Sequence, residues 1–122
     1  MDSEGYKVLV CGGRDYNNTG YVWDTLREIH MQRPIAQIIH GGATGADTAA
    51  KRWAELNSVG QYIFPVTQED WRELGRKAGP LRNQRMLDLG KPDVVVAFPG
   101  GTGTADMVRR AEKAGVTVVR VE

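Results

Sequence analysis

The chain has 122 residues, 41% of them apolar, with 16 Lys plus Arg against 15 Asp plus Glu, a formal net charge of +1 and a single cysteine. That length suits one compact domain over residues 1–122; the balanced charge excludes a global field drawing the chain to nucleic acid or an anionic membrane, and the lone cysteine excludes an internal disulfide. Glycine alone departs from the ordinary: 15 residues, about 12% against a usual share of about 7%.

The start Met1-Asp2-Ser3-Glu4 is acidic and does not read as a signal peptide. Tyr6 to Cys11 is a short β-branched apolar run, predicted as a buried strand that ends at Gly12-Gly13. Cys11 lies in that run, which suits a reduced thiol. Gly20 to Arg33 has helical spacing at Val22, Leu26 and Ile29 and stops at Pro34. Ala36 to His40 is a second strand, ending at Gly41-Gly42, and Thr44 to Asn57 a second helix. Tyr62 to Val66 reads as a third strand, broken by Pro65. Gln68 to Leu74 is a short helical piece, and Pro80 to Leu89 a helix capped by Gly90. Asp93 to Phe98 is a fourth strand ending at Pro99-Gly100-Gly101, Thr102 to Ala114 a helix capped by Gly115, and Val116 to Val121 the last strand. No apolar run approaches the roughly 20 residues of a membrane helix, so the expectation is a soluble, cytoplasmic protein.

Strands with little polar alternation, joined by helices, imply a parallel sheet covered on both faces. The expected fold is α/β, a Rossmann-like three-layer α/β/α arrangement with a mostly parallel sheet of about five strands in the order 3-2-1-4-5. In such a sheet every strand ends at one edge. The pairs Gly12-Gly13, Gly41-Gly42 and Gly100-Gly101 therefore converge on one crevice, with Gly45 and Gly103 extending two of the loops. Glycine lets backbone approach a ligand closely, and helix N-termini supply unpaired N–H groups with partial positive charge. Together these suit phosphate. Thr44, Thr102 and Thr104 add hydroxyls. Residues 11–16, CGGRDY, are not a dinucleotide fingerprint, and no Walker A lysine is present.

Charged residues gather at the same edge. Arg14 suits a phosphate, and Asp15 either a ribose hydroxyl or a local turn. Asp47 and Asp106, each in the first turn of a helix, are caps or ligand contacts, and Arg82 and Asn83 either point to the ligand or to solvent. Arg109, Arg110 and Lys113 read as an exposed helical face. His30 and His40 stand apart without a Cys or carboxylate pattern, so no metal site is expected, and no cofactor is assigned. Trp23, Trp53 and Trp71 read as core or interface anchors; Trp53 and Trp71 would suit a homodimer or higher homo-oligomer.

The blocks VCGGRDY, IIHGGATGADTAAKRWA, GPLRNQRML and VVVAFPGGTGTADMVRRAEKAGV, in that order over nearly the whole chain, resemble the YspA/YpsA-related branch of the SLOG superfamily. The resemblance extends to the LOG phosphoribohydrolases, the DprA core and sensor domains of nucleotide-signalling systems. It implies a ligand derived from a nucleotide, ADP-ribose-like, cyclic or a nucleoside monophosphate, that is sensed or sequestered. The enzymes of the superfamily resemble this chain at Pro99 to Thr104, but their motif glutamate falls at Met107, a thioether that is neither acid nor base. Hydrolysis of an N-glycosidic bond would then need Asp106 or Asp15 in place of the glutamate, with Arg82 as a further catalytic candidate, and one helical residue turns Asp106 about 100° from Met107. Single-stranded DNA binding of the DprA kind is disfavoured by the balanced charge.

Overall fold

β-Branched residues favour extended backbone, and the apolar runs do become strands. The computed structural model describes residues 5–122, so the acidic Met1-Asp2-Ser3-Glu4 stretch lies outside the described residues. The strands are β1 (Tyr6–Cys11), β2 (Ile35–His40), β3 (Gly60–Ile63), β4 (Val94–Ala97) and β5 (Thr117–Arg120). They form one parallel sheet in the order β3-β2-β1-β4-β5, as expected. The helices are α1 (Thr19–Gln32), α2 (Ala46–Leu56), α3 (Gln68–Leu74), α4 (Ala78–Gly90) and α5 (Thr102–Lys113), with a 3-10 turn at Gly75–Lys77.

The strand pleat sorts neighbouring residues into two cores. Val8, Val10, Ile38, Val94 and Val96 meet Val22 and Leu26 of α1 and Ala46, Ala50 and Trp53 of α2. Leu9, Cys11, Ile39, Val95 and Ala97 meet Met86 and Leu87 of α4 and Met107, Val108 and Ala111 of α5. The three-layer arrangement is thus present. The chain winds one way from β1 and the other way to β4, so a crevice opens where their C-terminal ends diverge.

Some boundaries differ from expectation. β3 runs over Gly60–Ile63 instead of 62–66, because it pairs from Gln37↔Gly60 to His40↔Ile63. Phe64 N–H adds one bond to the His40 carbonyl at 2.9 Å, and Pro65, lacking an N–H, ends the pairing. Gly90 is the last residue of α4 rather than its cap. A Cβ there would meet Ile39 Cδ1 at 3.1 Å, so glycine serves helix-on-sheet contact. The left-handed cap falls on Lys91 at φ +51, whereas Gly115 takes that conformation (φ +79) as expected. Trp53, 4% exposed, lies in the core edge-to-face with His30, so it anchors the fold and not a dimer. The indole N–H of Trp23 donates to the Ala49 carbonyl at 3.0 Å and ties α1 to α2.

A non-glycine residue in the left-handed region carries a steric penalty of about 1 kcal/mol or more, partly offset by the unfolded-chain entropy that glycine adds. Lys91→Gly should therefore stabilise the fold by roughly 0.5–1 kcal/mol. Urea unfolding of the two chains reads this as a higher midpoint at unchanged m-value.

Candidate functional site

The loops after β1, β2 and β4 touch one another. Gly13 N–H donates to the Pro99 carbonyl at 2.8 Å, and Ala46 N–H approaches the Gly13 carbonyl at 3.4 Å. Thr44 Oγ1 donates to the Arg14 carbonyl at 3.0 Å. Gly45, at φ +77, lies against the Gly13 and Arg14 carbonyls so closely that a Cβ would collide with both. A Cβ on Gly100 would lie 2.7 Å from Gly13 N. These glycines serve loop-to-loop contact.

The Gly41 loop is closed from within. Asp47 Oδ2 accepts from Gly41 N–H at 3.1 Å and from Ala43 N–H at 3.2 Å. His40 Nδ1 accepts from Gly42 N–H at 3.0 Å, which makes Nε2 the protonated nitrogen, facing Gln61 Oε1 at 2.9 Å. Arg82 Nη1 donates to the carbonyls of Gly41 and Phe64, each at 3.1 Å. Burial of Asp47 raises its pKa, against the lowering effect of the Ala43 and Gly41 bonds and of the nearby Arg82 charge. The N–H groups of Gly41, Gly42 and Ala43, expected to cradle phosphate, are therefore donated inside the loop. Arg82 clamps β2 and β3 to α4, and Asp47 ties the Gly41 loop to the start of α2.

α5 is different. Ala105 N–H bonds back to Gly101, while Gly101 offers no side-chain cap, so the first turn presents its N–H groups outward. A Cβ on Gly101 or Gly103 would meet nothing within 4 Å. That turn faces a cleft of ≈ 690 Å³. Gly12, Gly13 and Arg14 line it from the first loop, and Ala43 and Asp47 from the second. Gly101, Thr102, Gly103, Thr104, Asp106 and Arg109 line it from α5, and Arg82 and Asn83 from α4. Arg14, Gly41, Gly42, Thr44 and Arg82 border an adjoining hollow of ≈ 310 Å³. Gly100 borders a hollow of ≈ 570 Å³ on the far side of α5. Asp15 is exposed and borders none of these hollows, and Gly45 is covered by the first loop.

Asp106 is buried and held three ways. Its carboxylate accepts from Asn83 Nδ2 at 3.0 Å, Arg109 Nη2 at 2.7 Å and Arg110 Nε at 2.8 Å. Burial opposes its charge, but the Asn83 and Arg110 bonds and the two arginine charges prevail and hold its pKa below the ordinary value. Both oxygens are thus engaged in an ionised group, which is unsuited to proton transfer near neutral pH. Arg109 and Arg110 are not simply an exposed face: Arg110 also donates to Gln84 Oε1 at 2.9 Å, joining α5 to α4. Asn83 Nδ2 reaches the Gly103 carbonyl at 3.3 Å and its Oδ1 accepts from Arg82 Nε at 3.2 Å, so it supports the α5 turn. Met107, wholly buried, points into the core beneath α5. Cys11 lines the cleft as a thiol pushed up to about 12, chiefly by burial and further by the Asp47 charge, so it is no nucleophile.

Trp71 and Arg76 also line the cleft and were not among the expected site residues. The pair Arg76-Lys77, one residue before GPLRNQR, is the available sign for one; an isolated tryptophan in a seven-residue helix carries none for the other.

A family model described as "YspA, cpYpsA-related SLOG family" matches residues 6–73. A "Gene 61 protein" of Mycobacterium phage D29 is 42% identical over 120 residues, covering 93% of this chain and 94% of that protein. The chain belongs to the YspA, cpYpsA-related SLOG family. The family match spans the Gly12 and Gly41 loops and Trp71, while the α5 turn of this SLOG chain lies beyond it. No described helix is long and apolar enough to cross a membrane.

Asp106→Asn should cost about 1–3 kcal/mol of folding stability at pH 7. Because the folded carboxyl titrates below the unfolded one, the contribution is complete above pH ~4 and fades as pH falls through the folded value. Denaturant unfolding at pH 7 and at pH 3 should show the gap between the two chains narrowing on acidification. Met107→Glu should lower stability by roughly 3 kcal/mol or more, since a carboxylate replaces a buried thioether, and should confer no base release from AMP. Thermal unfolding and chromatography of the products read the two outcomes.

Proposed function

We propose that the chain binds a phosphate-bearing ligand derived from a nucleotide, ADP-ribose-like, cyclic or a nucleoside monophosphate, in the ≈ 690 Å³ cleft, and senses or sequesters it. The observation that carries this is the open first turn of α5. Its outward N–H groups, the unobstructed Gly101 and Gly103 and the Arg109 side chain, 70% exposed beside them, make one anion-attracting corner. Arg14 and Arg76 line the same cleft and form no ion pair among the described residues. Membership of the SLOG family is consistent with nucleotide-related binding. The volume falls in the usual range of small-ligand sites, about 300–1,000 Å³.

Phosphoribohydrolase chemistry is the weaker reading, because Asp106 is tied to two arginines and position 107 faces the core. Nucleic acid as a partner finds no support in the net charge of +1.

A nucleotide at about 100 times its Kd adds about 2.7 kcal/mol to stability and should raise Tm by roughly 10 °C. Differential scanning fluorimetry with AMP, cyclic AMP and ADP-ribose measures it. Arg109→Ala should weaken binding about tenfold through loss of one charge-assisted bond. If none of the three compounds raises Tm, the proposal fails. Release of free base from AMP, seen by chromatography, would replace it with the hydrolytic reading.

A further inference from the structure

The three tryptophans do different work. Trp53 is buried in the core, and Trp23 donates its indole N–H to Ala49. Trp71 is 43% exposed, and its indole N–H has no hydrogen-bond partner among the described residues. It sits on α3, which buries none of its residues and is closed by a capping box, Thr67 Oγ1 with Asp70 N–H at 3.0 Å and Asp70 Oδ2 with Thr67 N–H at 3.1 Å. A large ring on such a helix contributes little to the fold. It lines both the main cleft and the adjoining ≈ 310 Å³ hollow, as do Arg14 and Arg82.

Many polar groups of that hollow are already paired. Gly41 N–H and Ala43 N–H go to Asp47, Gly42 N–H to His40, Thr44 Oγ1 to the Arg14 carbonyl, and the Gly41 carbonyl takes Arg82. What remains is Trp71, Pro65 and Val66, the Arg14 guanidinium and backbone groups such as Thr44 N–H and the Gly42 carbonyl. Such a surface attracts a flat π-system by stacking and offers little to the hydrogen-bonding edge of a base.

We propose that Trp71 is the base platform of this site: the nucleobase stacks on Trp71 in the adjoining hollow while the phosphate lies at the α5 turn, and adenine and guanine are accepted alike. This rests on the nucleotide reading above and adds to it which residue takes the ring and how little the base edge is read. Stacking on an aromatic side chain tolerates any base because every base has a π-face.

The test uses the full chain with AMP, GMP and ribose 5-phosphate, each titrated by calorimetry and by tryptophan fluorescence. AMP and GMP should bind within about threefold of each other, and ribose 5-phosphate roughly five- to hundredfold more weakly. Trp71→Ala should weaken AMP by a similar factor and leave ribose 5-phosphate unchanged; Trp71→Phe should restore most of the AMP affinity. AMP should quench the fluorescence of the native chain and not of Trp71→Phe. Equal binding of AMP and ribose 5-phosphate, unaltered in Trp71→Ala, overturns the platform while leaving the phosphate site standing. A preference of more than tenfold between AMP and GMP overturns the base tolerance. Binding of none of the three overturns both this inference and the function on which it rests.

Discussion

Gly13 lies at the centre of a contact among the loops. Its N–H reaches the Pro99 carbonyl at 2.8 Å, its carbonyl faces Ala46 N–H, and Gly45 and Gly100 press against it from either side. β1 and β4 diverge at this point, and their loops can close over the sheet edge only if backbone meets backbone. A Cβ at Gly45 or Gly100 would collide with the first loop, so side chains are excluded by geometry before any ligand is considered. The position of α2 and of α5 relative to the sheet end depends on that contact.

The loop contacts also divide the labour among the N–H groups. A loop that must hold itself together uses its donors internally, and the Gly41 loop does so through Asp47 and His40. Arg82 completes the closure from the carbonyl side; glycine at 41 lets its guanidinium approach, since a Cβ there would lie 2.8 Å from Cζ. α5 begins at Gly101 with no side-chain cap, and its first turn borders the cleft.

Much of the architecture was legible in the chain. The runs YKVLVC and DVVVAF carry no turn residues and few polar ones, and right-handed crossovers leave few ways to order five parallel strands. The convergence of the glycine loops followed from that topology. Their use did not. From sequence, a glycine that admits a ligand and one that admits another loop look the same; the distinction rests on tertiary distances, as at Gly45 and Gly103. The roles of Arg82 and Asn83 were hidden likewise, because the partners of Arg82, Gly41 and Phe64, lie 41 and 18 residues away. Trp71 reads from the sequence as a core or interface residue because apolar bulk usually means burial, and its 43% exposure against 4% for Trp53 separates the two.

Asp106 and two arginines set the charge at the α5 corner. A lone carboxylate in the first turns of a helix would compete with an incoming anion for the same N–H groups and repel it. Here Asp106 turns to Arg109 and Arg110 at 2.7 and 2.8 Å, so the three side chains together carry 2 − 1 = +1. The pair Asp106–Arg110 is sheltered and linked to Gln84, whereas the Arg109 side chain is 70% exposed and borders the cleft. Asp106 therefore orients an arginine toward the cleft and gives up its own reactivity in doing so, since a carboxylate held ionised by two guanidinium groups neither donates a proton nor readily takes one. Replacing that carboxylate would disturb the fold and the aim of Arg109 together, which is how a positioning residue differs from a catalytic one.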